Sequence, residues 1–479
     1  MIQEQALNSK LDAIKTYKSF TIEEVEQFGN ILSKLEEDKL RHLNPYTFSK
    51  ENNFSEEQCI ELFIHAAKVG LLDFSYNLVC PACGGIVSSR KDFQTIQDDK
   101  FHCAACNLDT TFSLDDQIEV DFSIHPGIKK LKPVSLQKFE QYYRSFFSLN
   151  FVKASQINSY IMESIAAYGV IEADSTKEFS IEKSETDICR FISIENNAAI
   201  EIVYSSNLLK GEETQEAQFV AGSFSPSLIE LRAHKLNLTI KNLSKKPISI
   251  ILYRPEKKRI MELFIKNPIQ RKKFLTAKDL FNNQSFRELF RVQLSDGFNL
   301  NVKSLTIMFT DLRGSTEMYD KAGDHMAYKL VQEHFEILMR VVKLHSGAII
   351  KTMGDAIMAT FSNPIDGFLA AREMMKRIQE MNESWKKKGY ELGLKVGLNE
   401  GSALAVNNDE RIDYFGQAVN IAARVQGLAK AGEIWISDSI YSFPGVAEKI
   451  LENHYLLERQ EASLKGVGGK ATVYRVYVN

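Results

Sequence analysis

The chain has 479 residues, 44% of them hydrophobic and 25% charged, with a net charge of -3 and a pI of about 6.4. Such a length predicts about three domains with material for a sizeable core, and the near-neutral balance argues against nucleic acid as a partner. No apolar run approaches the ~20 residues that cross a bilayer, and Met1-Ile2-Gln3-Glu4-Gln5 lacks the basic and apolar parts of a signal peptide, so no membrane partner and a cytoplasmic location are expected.

Residues 1–76 read as a helical, winged-helix-like region. Thr21 followed by Glu24 forms a capping-box pattern ahead of an apolar face that runs on to Ile31, Leu32 and Leu35. A further helix is expected from Ser55, burying Cys59, Leu62, Phe63, Ala66 and Ala67. Without a basic patch, this region is expected to meet other proteins rather than DNA.

Residues 77–125 read as a zinc ribbon and a strand. Cys80-Pro81-Ala82-Cys83 and Cys103-Ala104-Ala105-Cys106 are separated by 19 residues, the spacing of paired zinc ligands. Four thiolates saturate a tetrahedral ion, so Cys80, Cys83, Cys103 and Cys106 predict structural Zn2+ in preference to a disulfide or a redox pair. Ile118 to Ile124 alternates as a half-buried strand.

Residues 126–257 read as a helical segment, 135–169, with its aromatics at helical spacing, followed by a β-sandwich regulatory domain. Phe191-Ile192-Ser193-Ile194, Ile200-Glu201-Ile202-Val203, Leu236 to Ile240 and Ile248 to Tyr253 are its short strands. Residues 258–300 form a transmission helix or linker with Thr276 as a cap.

From 301 to 479 the pattern changes. The apolar run Leu305 to Phe309 ends on Thr310-Asp311-Leu312-Arg313-Gly314-Ser315-Thr316, which delivers a carboxylate to the mouth of a glycine-containing loop. Lys351-Thr352-Met353-Gly354-Asp355 is a hairpin corner with a second carboxylate at its tip. Paired acids at neighbouring strand ends suit two divalent cations, which take hard oxygen ligands and keep positions for phosphates.

Helices are expected from Asp324 to a stop at Gly347 and from about Ile365 to Trp385. Strands at 304–310, 348–352, 356–361 and 392–398 complete a β-α-β-β-α-β, ferredoxin-like order. His325, His334 and His345 read as solvated or capping side chains. A helix from about Gly416 places Asn420 and Arg424 four residues apart on one face. The fold class expected is α+β: a ferredoxin-like C-terminal domain behind a helical, zinc-ribbon and β-sandwich N-terminal region.

These motifs, together with Leu394-Lys395-Val396-Gly397-Leu398-Asn399-Glu400-Gly401 and Leu464-Lys465-Gly466-Val467, resemble the catalytic domain of the class III nucleotidyl cyclases. The resemblance implies that Asp311 and Asp355 hold two Mg2+ or Mn2+ ions per site and that Lys351 and Asp413 select the base. A lysine donating to N1 and an acid accepting from the amino group match adenine, so ATP is the expected substrate and cyclic AMP the product.

By the same resemblance, Asn420 orients the ribose and Arg424 stabilises charge on the α-phosphate, both supplied by the opposite subunit of a homodimer with two composite sites. Backbone groups of Leu312, Arg313, Gly314, Ser315 and Thr316 would cradle the triphosphate. The family's further phosphate-binding lysine falls on Val467 here, which leaves Lys465 and Lys470 as candidate substitutes. The stretch from Asn44 through the ribbon and sandwich resembles an uncharacterised domain found ahead of bacterial cyclase domains, which implies an unknown regulatory ligand or protein. A cyclase of GTP or a pyrimidine nucleotide, and a catalytically silent nucleotide-binding scaffold, are the alternatives.

Overall fold

The computed structural model describes residues 2–93, 96, 100–111, 115, 117–183, 186, 188–291, 294, 300–313, 323–386, 389–408, 411–465 and 469–478. Four helices open the chain: α1 (Glu4–Lys15), α2 (Ile22–Lys34), α3 (Pro45–Asn52) and α4 (Glu56–Val69). The Thr21 hydroxyl accepts from the Glu24 N–H while the Glu24 carboxylate accepts from the Thr21 N–H, and Ser55 and Gln58 do the same for α4. Such caps stabilise each helix by roughly 1 kcal/mol. No helix among the described residues is long and apolar enough to cross a membrane.

The helices pack on strands β1 (Leu72–Val79), β2 (Ile86–Arg90) and, after the ribbon hairpin β3 (Lys100–Cys103) and β4 (Leu108–Thr111), β5 (Ile118–Ile124). The antiparallel order is β2-β1-β5. The alternation in β5 predicts one face in water, yet Glu119 and Asp121 are both buried. That face is covered by residues 148–150: the Ser148 hydroxyl and the Asn150 amide each donate to Glu119 at 2.6 Å.

Burial, and then the charge of Asp121, push the Glu119 carboxyl up to about 7. A carboxyl whose folded pKa lies above its unfolded value of 4.5 holds its proton more tightly in the native state. Stability from this group is therefore greatest below the unfolded pKa, declines as pH rises from 4.5 to 7, and is flat above. Glu119→Gln, which removes the charge while its carbonyl oxygen accepts from Asn150 and its amide donates to the Ser148 hydroxyl, is expected to raise the melting temperature at pH 8 and to flatten this slope, with a ceiling on the order of 3 kcal/mol; melting curves of both chains across pH 5 to 8 check it.

The expected helical stretch over 135–169 is instead two helices, α5 (Phe139–Phe146) and α6 (Ser155–Glu163), separated by the short strand β6 (Phe151–Val152). The helical reading ends at Ser164, where Ile165 to Ile171 pairs with Ile248 to Tyr253 as strands. The aromatics are core, as expected: Tyr142 is fully buried and bonds Glu195.

Strands β7 (Ile165–Ile171), β8 (Thr176–Glu182), β9 (Arg190–Ser193), β10 (Ala198–Val220), β11 (Ser223–Ser225), β12 (Leu228–Asn242) and β13 (Ile248–Tyr253) form one sheet in the order β7-β13-β9-β10-β12-β8, with β11 on β10. The two layers read from the sequence are parts of this one continuous sheet. The long β12 alternates buried and exposed residues along its length, and Asn242 at its end donates to the carbonyls of Ile171 at the end of β7 and of Glu172 just after it, bringing the sheet back on itself around one apolar cluster.

The connection comprises α7 (Lys257–Lys266), β14 (Gln270–Arg271) and two short helices, α8 (Ala277–Phe281), capped by Thr276 as expected, and α9 (Gln284–Leu289). Behind it come β15 (Leu300–Arg313), α10 (Asp324–Leu344), β16 (Ala348–Met353), β17 (Ala356–Phe361), α11 (Pro364–Lys386), β18 (Gly393–Asn408), β19 (Arg411–Phe415), α12 (Gln417–Leu428), β20 (Glu433–Ser437), α13 (Asp438–Tyr441), α14 (Val446–Glu452), β21 (Leu456–Ala462) and β22 (Ala471–Tyr477). The strand order β16-β17-β15-β18-β20-β22-β21 contains the expected β-α-β-β-α-β core.

Residues alternate along β15: Met308 and Leu312 join the core under α10 and α11, while Leu305, Ile307 and Phe309 face the other side. On that second side one apolar core runs without a break from Phe63 and Phe122 of the N-terminal half, through Phe281 and Phe286, to Ile307 and Tyr414. The two halves are thus joined by packing as well as by chain. Gly397 lets α12 lie directly on β18, since a Cβ there would stand 2.1 Å from the Gln426 nitrogen.

Candidate active site

The hairpin between β16 and β17 turns on Gly354, at φ +66, and Asp355. Only a residue without a Cβ takes that backbone readily. In β15, Phe309 stands opposite Met358, and the Thr310 hydroxyl accepts from the Ile357 N–H at 3.2 Å. Carried onward, this register sets Asp311 across from Ala356, beside Asp355. The two acids read from separate motifs therefore stand at the same end of two paired strands.

Their surroundings differ. Asp311 is partly exposed and receives the Lys395 ammonium at 2.5 Å from the facing position on β18. Asp355 keeps one carboxylate oxygen buried with no donor among the described residues. Behind the hairpin, His334 of α10 is fully buried against Asp355, whose backbone and charge act on its ring. Burial depresses its pKa to about 4, so it faces Asp355 as a neutral ring. The solvated or capping role read for His334 is thus corrected; exposed His325 fits that reading.

A buried anionic oxygen without a donor costs several kcal/mol unless a cation reaches it. The donor set at Asp311 and Asp355, carboxylate oxygens with one left unmet, fits a hard divalent cation. Lys395 provides counter-charge on the Asp311 side.

A second pair stands nearby in the same sheet. The Lys351 ammonium of β16 lies 2.7 Å from the buried Asp413 of β19 and 5.4 Å from the centre of the Phe415 ring. Asp413 also accepts from the Asn408 amide at 3.1 Å and from the Tyr414 N–H at 2.8 Å. Residues 62 apart in sequence are thus joined as one donor and one acceptor. The strands carrying them are gripped by the connecting helices: Gln284 accepts from the Ile349 N–H, and Arg287 donates to the Ile412 carbonyl, each at 2.8 Å.

Helix α12 begins just after Gly416, as read from the sequence. Ala418 and Ala422 face the sheet, whereas Asn420 is exposed and Arg424 half-exposed, with no hydrogen bond or ion pair for either side chain among the described residues. Leu312 and Arg313 are the last residues of β15, still strand rather than helix entry. Gly314, Ser315 and Thr316 lie outside the described residues, as does Val467. Lys465 and Lys470 are exposed on the connection between β21 and β22.

Sequence reasoning passed over Lys395, Asn408 and the buried position of His334. Lys395 lies within the run Leu394 to Gly401, but its significance needs the β15–β18 register, which no local pattern states. In the N-terminal half the four cysteine sulfurs lie within 4.8 Å of one another, with Cys80–Cys106 at 3.5 Å and Cys83–Cys103 at 3.7 Å. A tetrahedron with 2.3 Å metal–sulfur bonds has edges of about 3.8 Å, so this cluster fits a metal ion. His102 instead pairs with Asp109, while Cys59 and Cys189 are buried in apolar cores.

Residues 300–478 match the family described as adenylate and guanylate cyclase catalytic domain, and residues 4–288 match a family described only as of unknown function (DUF5939). An adenylate cyclase of Lachancea kluyveri is 26% identical over 35% of this chain and 10% of its own length. The serine/threonine-protein kinase pkn2 of Myxococcus xanthus is 27% identical over 29% of this chain and 16% of its own. This chain thus spans less than a fifth of either relative. The adenylyl cyclase CyaB of P. aeruginosa aligns in structure with 38% of this chain and 97% of its own, at 24% identity and a TM-score of 0.34. The chain belongs to the DUF5939 family, and its residues 300–478 form an adenylate and guanylate cyclase catalytic domain of the class III type.

Proposed function

We propose that this protein is a cytoplasmic adenylate cyclase, converting ATP to 3′,5′-cyclic AMP and pyrophosphate at two composite sites of a homodimer. The observation that carries the choice of base is the Lys351–Asp413 pair: an ammonium donor for N1 and a carboxylate acceptor for the N6 amino group, already held side by side. Guanine presents the opposite pattern on those edges. A charged hydrogen bond of this kind is worth about 1.5–3 kcal/mol, or roughly ten- to a hundredfold in selectivity.

In the reaction the ribose 3′-oxygen attacks the α-phosphorus as its proton leaves, and the bond from that phosphorus to the pyrophosphate oxygen breaks. Two Mg2+ or Mn2+ ions on Asp311 and Asp355 would lower the pKa of the 3′-hydroxyl and offset phosphate charge. Asn420 orients the ribose, and the Arg424 guanidinium, always charged and planar, meets the charge that builds on the α-phosphate. Arg313, Lys465 and Lys470 approach the remaining phosphates. Half-exposed Met353, Leu404 and Phe415, apolar side chains beside these groups, support burial by a second copy.

The cysteine cluster is assigned structural Zn2+, and the N-terminal half a regulatory role. The test is product formation from ATP, GTP, CTP and UTP with Mn2+, for the natural chain and for Lys351→Glu. Cyclic AMP is expected to dominate, and the substitution to reduce the ATP-over-GTP preference at least tenfold. A natural chain that prefers another nucleotide refutes the adenine assignment, and one that cyclises none is a scaffold.

A further inference from the structure

A cavity of about 620 Å³ opens in the N-terminal half, between the α2–α3 connection, β5 and the turn after α5. Pockets of a few hundred Å³ hold small metabolites. Its floor is the polar face of β5. Asp121 pairs with the His42 ring at 2.5 Å, Glu119 binds Ser148 and Asn150, and the Asn44 amide donates to the Asn150 side chain at 2.8 Å. Burial works against a charge on His42, but Asp121 holds its pKa above the ordinary value.

Such a floor is the reverse of what a buried strand gains by. Apolar residues would fill this position at lower cost, because removing two carboxylates from water is expensive even when hydrogen-bonded. The mouth is mixed in charge: Asp38 and Glu51 are exposed there, but so are Lys39, Lys138 and Lys272, whose ammonium groups have no hydrogen bond or ion pair among the described residues. A floor of acceptors and amides beneath these three lysines matches a solute with hydroxyl or amino donors at one end and an anionic group at the other.

We propose that this cavity binds a phosphorylated, hydroxyl-rich metabolite of sugar-phosphate or mononucleotide size, its hydroxyl or amino groups on Glu119 and Asp121 and its phosphate at the lysine rim. The site lies apart from the catalytic residues but touches the chain that leads to them. Lys272 donates its N–H to the Asn150 carbonyl, the Lys273 carbonyl accepts from Asn44, and the Val120 N–H donates to the Leu275 carbonyl at 2.8 Å. That strip runs directly into α8 and α9, whose Gln284 and Arg287 hold the strands of Lys351 and Asp413. Occupancy of the cavity thereby bears on the base-selecting pair.

Calorimetry on the full chain with ribose 5-phosphate and with AMP, against inorganic phosphate, tests the binding and separates a sugar phosphate from a nucleotide. At least one of the two is expected to bind at one site per chain, with phosphate at least tenfold weaker. Lys138→Glu, a change at an exposed rim position, and Glu119→Gln are each expected to weaken binding about tenfold. Failure of both probes at millimolar concentration overturns the proposal. So does binding that both variants leave unchanged, which would place the probe in the catalytic site. This readout does not depend on cyclase turnover, so it stands or falls apart from the proposed activity.

Discussion

Asp355→Ala is expected to reduce cyclic AMP formation by three orders of magnitude or more while the chain folds as before. Asp355 occupies a two-residue turn, and its backbone neighbour Gly354 already supplies the unusual φ, so alanine at 355 disturbs no packing. What is lost is the carboxylate oxygen that no described residue satisfies, together with the cation it would hold; metal-borne stabilisation of transition-state charge is worth several kcal/mol. Arg424→Ala should behave differently in detail, lowering kcat by about 10²- to 10³-fold with little change in KM, because its partner charge develops only in the transition state.

The two defects lie on separate elements, and in the proposed dimer each composite site takes Asp355 from one copy and Arg424 from the other. Mixing the two inactive chains should then restore one complete site per heterodimer, or half the natural activity of that species. Native mass spectrometry counts the heterodimers and a cyclic AMP assay counts the sites. Heterodimers that remain inactive would exclude composite sites and leave each copy with its own acids, asparagine and arginine.

Much of this site is legible without coordinates because its signals are local. An apolar run leading into an acid, a Gly-Asp corner, and an Asn and an Arg one helical turn apart each declare themselves within a dozen residues. The capping boxes at Thr21 and Ser55 are local in the same sense. The features missed are those that need two distant segments. Lys395 matters through cross-strand register, His334 through depth of burial, and Glu119 and Asp121 because residues 148–150 close over a strand face that alternation assigns to water. The sandwich reading was led by short runs such as Leu236 to Ile240. The long strand β10 carries the run from Ile200 onward through polar residues with no hydrophobic signal, Ser206 and Lys210 to Glu216 among them, while β12 extends Leu236 to Ile240 backward through the alternating Leu228 to Ala233.

Removing the metal from the cysteine cluster is expected to loosen the molecule well beyond the ribbon. The segment between the two cysteine pairs places Phe93, which is buried, against Tyr76 at 4.8 Å and against Phe281 of α8 at 4.9 Å between ring centres. On its other side the ribbon is tied to the curled sheet: Asn197 accepts from the Ala104 N–H and donates to the His102 carbonyl. Cys103→Ser takes away one ligand of four and frees both attachments. Structural zinc contributes on the order of 10 kcal/mol to holding such a segment closed, so without it, with only the roughly 3–5 kcal/mol of withdrawing Phe93 from its core left to resist, opening should become at least a hundredfold more frequent. As purified, the natural chain should carry one zinc, measured by elemental analysis, and the variant none. Limited proteolysis should then cut the variant between residues 84 and 102, and cyclase activity should fall with it, since Phe93 backs the helix beside the one holding Ile349 and Ile412. A natural chain that contains no zinc when purified without chelator would remove the metal from the cluster, while a variant that loses zinc but keeps both its protease resistance and its turnover would show that Phe93 stays seated on α8 without it.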